Sequence, residues 1–152
     1  MNELQQQWLA SAPWETLLTV NQALCQAKQV PSQHNAKTHA PARQIWEQAL
    51  SRRMTLAEAL GVCRECAALT PFVFNNGNTF AAISKTLLED DLKLMPPVEA
   101  QIIRTTVAHY VNSLVGRKEL LQVLRHFETM WARAGVARAG EPAAGMEQRV
   151  AN

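Results

Sequence analysis

The chain has 152 residues, a formal net charge of +2, 47% hydrophobic residues and 18% charged residues. These values predict one compact globular domain that buries its own core, and they give no support to a strongly basic nucleic-acid binder. The sequence contains neither an apolar run long enough to cross a bilayer nor a signal-peptide pattern, so we expect a cytoplasmic location.

Apolar periodicity along the chain predicts an all-α fold of six to seven helices in one globular domain. The helices are expected over 2–10, 13–28, 41–53, 55–69, 79–89, the stretch between Pro97 and Gly116, and 117–133. A capping box of Thr55 and Glu58 predicts the start of the fourth, and the fifth is expected to fray at its acidic carboxy-terminal end. In the sixth, the apolar spacing assigns to the inward face Val98, Ile102, Val107, Tyr110, Val111 and Leu114. The domain is expected to span 1–134, and the stretch 135–152, which has no periodicity, is expected to form a flexible tail.

Histidine and cysteine side chains are the first candidates for metal binding. His34 and His39 fall in the polar stretch 30–40, where no acidic or thiol partner lies at ligand spacing, so we interpret them as solvated loop residues. Cys63 and Cys66 form a single CxxC within a predicted helix. Because a third cysteine is the only other one in the chain, buried core thiols are favoured over a disulfide framework or a metal site. No metal and no cofactor are predicted.

Turn-forming residues accumulate at one place, between the helices predicted over 55–69 and 79–89. Asparagine and glycine tolerate positive φ, so this stretch is expected to curl tightly, with Asn78 or Thr79 capping the next helix. Unpaired amides at such a turn favour negative charge, which makes it a candidate anion or ligand site. The candidate residues are Asn75, Asn76, Gly77, Asn78 and Thr79. An ordinary helix–loop–helix connection is the alternative.

The same stretch resembles the signature of the Fic/Doc (death-on-curing) family, H-x-F-x-[D/E]-[G/A]-N-[G/K]-R. The F, G and N of this signature are matched by Phe74, Gly77 and Asn78, and Asn75 falls on a variable position. An apolar helix follows over 81–88, as in that family. The order of predicted helices is also similar, and the resemblance covers roughly residues 10–131. It implies a helical fold in which this motif turn lies between two central helices, and a toxin–antitoxin-like protein of bacterial or phage type.

Three positions depart from that signature. Phe72 stands where the family has the histidine that activates the target hydroxyl, Asn76 where it has the acidic residue that holds Mg²⁺, and Phe80 where it has the arginine that grips the nucleotide phosphates. Phenylalanine and asparagine supply no base, anionic oxygen or cation. The sequence therefore predicts a degenerate motif without catalytic residues, in a non-catalytic protein-binding or regulatory module whose two phenylalanines help to close the pocket.

Two alternatives remain, one within the Fic/Doc resemblance and one outside it. An active nucleotidyl- or phosphotransferase acting on a protein target would need a base from elsewhere, and His109 and His126 lie on later helices. A DNA-binding helix-turn-helix is the other alternative, with Gly61 as the turn and Arg64 in the recognition helix. That segment offers few groups for phosphates or base edges, so nucleic-acid binding is not expected.

A helical protein-interaction domain of no particular ancestry is a further interpretation. Tryptophans are frequent at the energetic centres of protein interfaces, and the chain has four. Their helical phasing nevertheless favours core positions. They are Trp8, Trp14, Trp46 and Trp131. The sequence thus predicts a protein partner without identifying it.

Overall fold

Residues 5–139 of the chain are described by a computed structural model, and within this range the backbone forms six α-helices. In chain order they are α1 (Trp14–Ala27), α2 (His39–Leu50), α3 (Leu56–Ala68), α4 (Asn76–Leu92), α5 (Pro97–Val111) and α6 (Arg117–Ala139). The extended pairing found in this range is limited to two isolated bridges, Gln6 with Met54 and His34 with Phe72. The prediction of an all-α globular domain is confirmed.

The helices α3, α4 and α5 form the centre of the molecule, since each of them contacts the other two. The first helix packs on α4, the second on α3, and α6 packs mainly on α5. The motif stretch therefore lies between α3 and α4, two helices that pack against each other, as predicted. Among residues 5–139, no helix combines the length and apolar character that a membrane crossing needs.

The tryptophans whose side chains are described lie in the core. Trp8, Trp14 and Trp46 are 7%, 1% and 0% exposed. The indole N–H of Trp46 donates a 2.8 Å hydrogen bond to the carbonyl of Ala12, which joins α2 to the segment before α1. These three side chains stabilise the interior and are not surface anchors. The fourth, the side chain of Trp131, lies outside the described residues.

The ends of several helices differ from the prediction. In the predicted first helix, 2–10, the described residues instead form turns, and Gln6 pairs with the backbone of Met54. The prediction for α4 was too short at both ends, because α4 begins at Asn76 and continues through the acidic residues to Leu92. Fraying at those acids is prevented by α5, where Arg104 binds the carboxylate of Glu89 at 2.8 Å.

At the carboxy-terminal end, α6 extends to Ala139 and so enters the stretch expected to be a tail. The remainder of that stretch, 140–152, lies outside the described residues. The tail prediction is therefore not tested beyond α6.

The inward face of α5 was predicted correctly only toward its carboxy-terminal end, where Val107, Tyr110 and Val111 are buried. Val98 and Ile102, predicted to be buried, are 72% and 54% exposed, and Leu114, in the loop after α5, is 71% exposed. The residues that α5 buries are Ala100, Ile103, Val107, Tyr110 and Val111. At about 100° per residue, this buried set lies nearly opposite Val98 and Ile102 on the helix. The helix has two apolar faces, and contacts with α3, α4 and α6 determine which one is buried.

The third helix is continuous through Gly61, from Leu56 to Ala68, and begins with the capping box predicted for Thr55 and Glu58. The break that a helix-turn-helix requires at Gly61 is therefore not present. Arg64 points toward the protein instead of outward: it donates to the carbonyl of Val115 at 3.2 Å, and its guanidinium lies 4.7 Å from the centre of the Tyr110 ring.

Replacement of Arg64 tests this internal role. We expect Arg64→Ala to lower the free energy of unfolding by about 1–2 kcal/mol, because it removes a charge-assisted hydrogen bond and a cation–π contact. The exposed neighbour provides the control, since Glu65→Ala should change stability by less than about 0.5 kcal/mol. Urea unfolding measures both. Equal, small effects of the two variants would contradict the internal role.

Candidate functional site

The motif stretch is a short connection from α3 into the first turn of α4. Asn75 has φ 65° and ψ 32°, in the left-handed region that asparagine tolerates, and it is the N-cap of α4. The following residues, Asn76 to Thr79, therefore lie within the helix and not in a loop. The prediction that Asn78 or Thr79 caps the helix was wrong, because the chain already turns at Asn75.

Asn76 closes this connection with both polar groups of its side chain. Its amide oxygen accepts a hydrogen bond from the backbone N–H of Phe72 at 2.8 Å, and its amide nitrogen donates to the carbonyl of Phe72 at 2.7 Å. Both bonds hold the backbone four residues earlier. Asn76, at the position where the Fic/Doc signature has its acidic residue, thus acts as a clamp on the turn.

A buried asparagine of α1 supports the turn from beneath. The amide nitrogen of Asn21 donates to the carbonyl of Phe74 at 2.8 Å and to the hydroxyl of Thr79 at 3.1 Å, and its oxygen accepts from the hydroxyl of Ser32 at 3.1 Å. The Thr79 hydroxyl in turn donates to the carbonyl of Asn75 at 2.6 Å. Asn21 and Thr79 are both fully buried, so their polar groups are satisfied by each other and by the turn.

Sequence reasoning missed Asn21, although a signal for it exists. The buried residues of α1 are Trp14, Leu17, Asn21 and Cys25, which recur at helical spacing. Asn21 is therefore a polar residue on an otherwise apolar stripe. A polar side chain at such a position needs an internal partner, and the asparagine-rich turn provides it.

Phe72 and Phe80 are core residues. They are 1% and 0% exposed. The Trp14 ring stacks on Phe72 with centroids 5.9 Å apart and an interplanar angle of 14°, and Phe80 lies between Trp14 and Trp46 at 6.5 Å and 5.9 Å. The two phenylalanines therefore fill the interior beneath the turn and do not form the wall of an open pocket.

The structure brings two histidines to the turn that the sequence had placed in a solvated loop. The backbone around His34 pairs with the turn, since the N–H of Asn35 donates to Pro71 and the N–H of Val73 donates to Gln33. The His34 and His39 rings stack with centroids 3.7 Å apart, and the edges of both approach the Phe72 ring. His34 is exposed, as predicted, but His39 is only partly exposed and begins α2.

His39 has a defined hydrogen-bonding role. Its Nε2 accepts the indole N–H of Trp14 at 3.3 Å, which requires that nitrogen to be unprotonated. Burial lowers the pKa of His39, and the nearby His34 and Arg43 lower it further. The neutral ring is therefore the form that completes the contact with Trp14.

Gly77 allows the start of α4 to approach the end of α5. A Cβ atom on Gly77 would lie 1.9 Å from the side-chain oxygen of Asn112. The φ of Gly77 is not positive, so the glycine is needed for space and not for backbone freedom. The amide of Asn112 also donates to the carbonyl of Ala108 at 3.0 Å, so a larger residue at Gly77 would require the exposed Asn112 side chain to move and give up this bond.

The thiol and carboxylate groups offer little chemistry in the described range. Cys63 and Cys66 are fully buried, as predicted, and burial raises the pKa of each thiol to about 12. Within residues 5–139, no cluster of three or more histidine, cysteine or acidic side chains is placed to hold a metal ion. The arrangement around the turn, by contrast, is well suited to fixing the positions of α1, α2 and α4 relative to each other.

Comparison of the chain with protein-family models, with curated proteins and with solved structures gives no match. The Fic/Doc resemblance therefore stays a prediction from the motif residues, and function is inferred from the side chains of this chain.

Replacing Asn21 tests the support beneath the turn. We expect Asn21→Leu to lower the free energy of unfolding by about 2–3 kcal/mol, because the carbonyl of Phe74 and the buried hydroxyl of Thr79 lose the amide that donates to them. Gln22→Leu changes the adjacent, exposed residue in the same way and should cost less than about 0.5 kcal/mol. Denaturant midpoints measure the difference, and similar midpoints for the two variants would contradict it.

Acid should weaken the contact between His39 and Trp14. Because the folded state lowers the pKa of His39, the unfolded chain binds the proton more tightly. The contribution to stability is therefore complete above the ordinary value of about 6.5 and is lost as the pH falls through and below it. The contact with Arg104 also lowers the pKa of Glu89, but from an ordinary value of 4.5. The stability that Glu89 contributes is therefore lost only at lower pH than that of His39.

Thermal unfolding between about pH 7 and pH 5 measures the effect of His39. We expect the melting temperature of the wild type to fall over this interval and that of His39→Gln to fall less, since glutamine accepts the Trp14 N–H without titrating. His109→Gln, which changes a histidine on α5, should behave as wild type. The same pH dependence in all three proteins would show that His39 is not the responsible group.

Proposed function

We propose that this chain is a non-catalytic protein-binding module whose binding surface is the outward face of α5. This face is defined by Val98, Gln101, Ile102, Thr105 and Thr106. The observation that carries the proposal is the exposure of two aliphatic side chains, 72% for Val98 and 54% for Ile102, on a helix that already buries its opposite face. A helix that is apolar on both faces is typical of one that is covered on both sides.

The shape of the surface supports this assignment. A shallow cavity of about 490 Å³ runs along the outward face, and the described residues that bound it all belong to α5. A second groove, of about 220 Å³, lies between α5 and α6 and includes Ile103 and Val123. Ile102 lines both cavities. The two cavities therefore adjoin at the Ile102 side chain, and apolar grooves of this kind can accept the apolar side of a helix.

The charges around the surface also support it. None of the five residues of the outward face is charged. Of the charged side chains beside it, Arg104 binds Glu89 at 2.8 Å, and Glu99 lies 3.3 Å from Nε2 of His126 without a hydrogen bond between them. An uncharged centre with a polar rim is the usual composition of a protein interface. The partner is therefore expected to present an uncharged, apolar surface.

The motif residues support the non-catalytic part of the proposal. Phe72 and Phe80 are packed in the core, and both polar groups of the Asn76 side chain are bonded to the backbone of Phe72. Transfer by the Fic/Doc route would need a base, a metal ligand and a phosphate-binding cation at these three positions. In this proposal the Fic/Doc-like turn is kept as a structural element that holds α4, and α4 in turn supports α5.

Capture experiments test the binding surface. The full-length wild type, Ile102→Glu and Val73→Glu are immobilised and exposed to a lysate that contains added isotope-labelled wild-type chain. Retained proteins, including the labelled chain, are quantified by mass spectrometry. Val73 is the matched control, because it is 46% exposed but lies in the turn. We expect some proteins to be retained in equal amounts by wild type and Val73→Glu. Ile102→Glu should retain at least about tenfold less of the same proteins, since a buried charge without a partner is costly. Equal retention by all three would overturn the assigned surface.

Nucleotide transfer tests the non-catalytic part separately. We expect no label to pass from labelled ATP with Mg²⁺ to proteins of a lysate, and no ATP binding tighter than about 10 μM by titration calorimetry. Label transfer that is lost in Asn78→Ala would contradict the proposal and support the transferase alternative.

A further inference from the structure

We infer that the partner of the outward face of α5 is a second copy of this chain, with the two α5 helices packed antiparallel about a two-fold axis. This inference rests on the proposed function, since it names the occupant of that same surface. A two-fold interface brings the same surface of both copies together, so the surface has to be complementary to itself.

The outward face meets this requirement. Its five defining residues are uncharged, so two copies can approach without placing like charges against each other at the centre of the contact. The exposed His109 lies on the same side of the helix, two turns beyond Ile102 and nearer the end of the contact. The five side chains are compact apart from Gln101, whose amide is held along the helix by a 3.3 Å hydrogen bond to the hydroxyl of Thr105. A symmetric pair of helices crossing near the middle of α5 would set Ile102 of each copy against Thr105 and Thr106 of the other. Large and small side chains would then alternate across the contact.

The charges at the two ends of α5 favour the antiparallel orientation. At the amino-terminal end, Lys93 is outnumbered by acidic residues, which are Asp90, Asp91 and Glu99, and beyond the carboxy-terminal end the exposed Arg117 and Lys118 outnumber Glu119. Antiparallel packing brings the acidic end of one copy near the basic end of the other, whereas parallel packing brings like ends together. The helix dipoles favour the same orientation.

Two exposed leucines lie just outside the ends of α5 and fit the same arrangement. Leu94, three residues before Pro97, is 58% exposed, and Leu114, three residues after Val111, is 71% exposed. Antiparallel packing brings Leu94 of one copy to the same end of the interface as Leu114 of the other. The apolar contact would thus extend beyond the helix at both ends.

The length of α5 indicates how stable the pair is. Its 15 residues span about 22 Å, so two such helices make an interface at the small end of the range for specific complexes. We therefore expect a reversible dimer that dissociates on dilution into the low micromolar range. A concentration series separates such a dimer from a monomer.

Sedimentation velocity on the full-length chain, from about 1 μM to about 500 μM, is the first test. We expect the wild type and Val73→Glu to change from monomer to dimer over this range, and Ile102→Glu to associate at least about 100-fold more weakly. Circular dichroism checks that each variant keeps its helix content. A monomer at every concentration would overturn the inference, and so would a dimer that Ile102→Glu leaves unchanged.

Maleimide labelling of Val98→Cys is the second test and identifies the occupant. The native Cys25, Cys63 and Cys66 are all buried, so the new thiol is the reactive one among the described residues. We expect labelling to be rapid at about 1 μM and at least about tenfold slower at about 500 μM, because the second copy covers the site. Slow labelling at both concentrations would show that residues of the same chain cover the face, and would overturn the inference.

The two proposals fail in different ways. Rapid labelling at both concentrations, together with capture of other proteins that depends on Ile102, would reject the second copy as the partner and keep the binding function. Rapid labelling together with capture that does not depend on Ile102 would reject both.

Discussion

The structure depends on the buried amide of Asn21. A primary amide is costly to bury unless its donors and acceptor are bonded, and here the partners come from the loop at Ser32, from the backbone of Phe74 and from Thr79 in α4. These segments are far apart in sequence, so the amide is satisfied only when α1, the loop and the turn are all in place. One polar side chain therefore selects a single arrangement of three segments, which apolar packing alone does less strictly.

The aromatic core follows from that arrangement. With α1 fixed against the turn, the Trp14 ring stacks on Phe72 and its indole N–H reaches His39. The positions that carry a base and a phosphate-binding cation in the Fic/Doc signature here carry side chains of the core. At these positions the chain has packing and not polar chemistry, and the surface that we propose for a partner lies on a different helix.

The sequence was sufficient for elements that depend on local signals. The capping box at Thr55 and the apolar periodicity of α1 act within a few residues, and both predictions are confirmed. The contacts of His39 were not predictable in this way, because they depend on Trp14 and on a strand-like pairing with the turn. The inward face of α5 was predicted only in part for a related reason: Val107, Tyr110 and Val111 are buried as predicted, but periodicity alone cannot tell which apolar residues near the start of the helix its neighbours will bury.

The preference of residues for helical structure does not explain the composition of the outward face of α5. Val98, Ile102, Thr105 and Thr106 are all β-branched, and branched side chains lose rotamer freedom in a helix. Relative to alanine they cost about 0.5 kcal/mol each, or about 2 kcal/mol together, whereas lysine, glutamate or glutamine would cost less and would be better solvated on a surface. Val98 and Ile102 also gain little from burial in the isolated chain, since they remain more than half exposed. Neither helix propensity nor the core accounts for these residues, and this is the physical reason for proposing a contact that covers them.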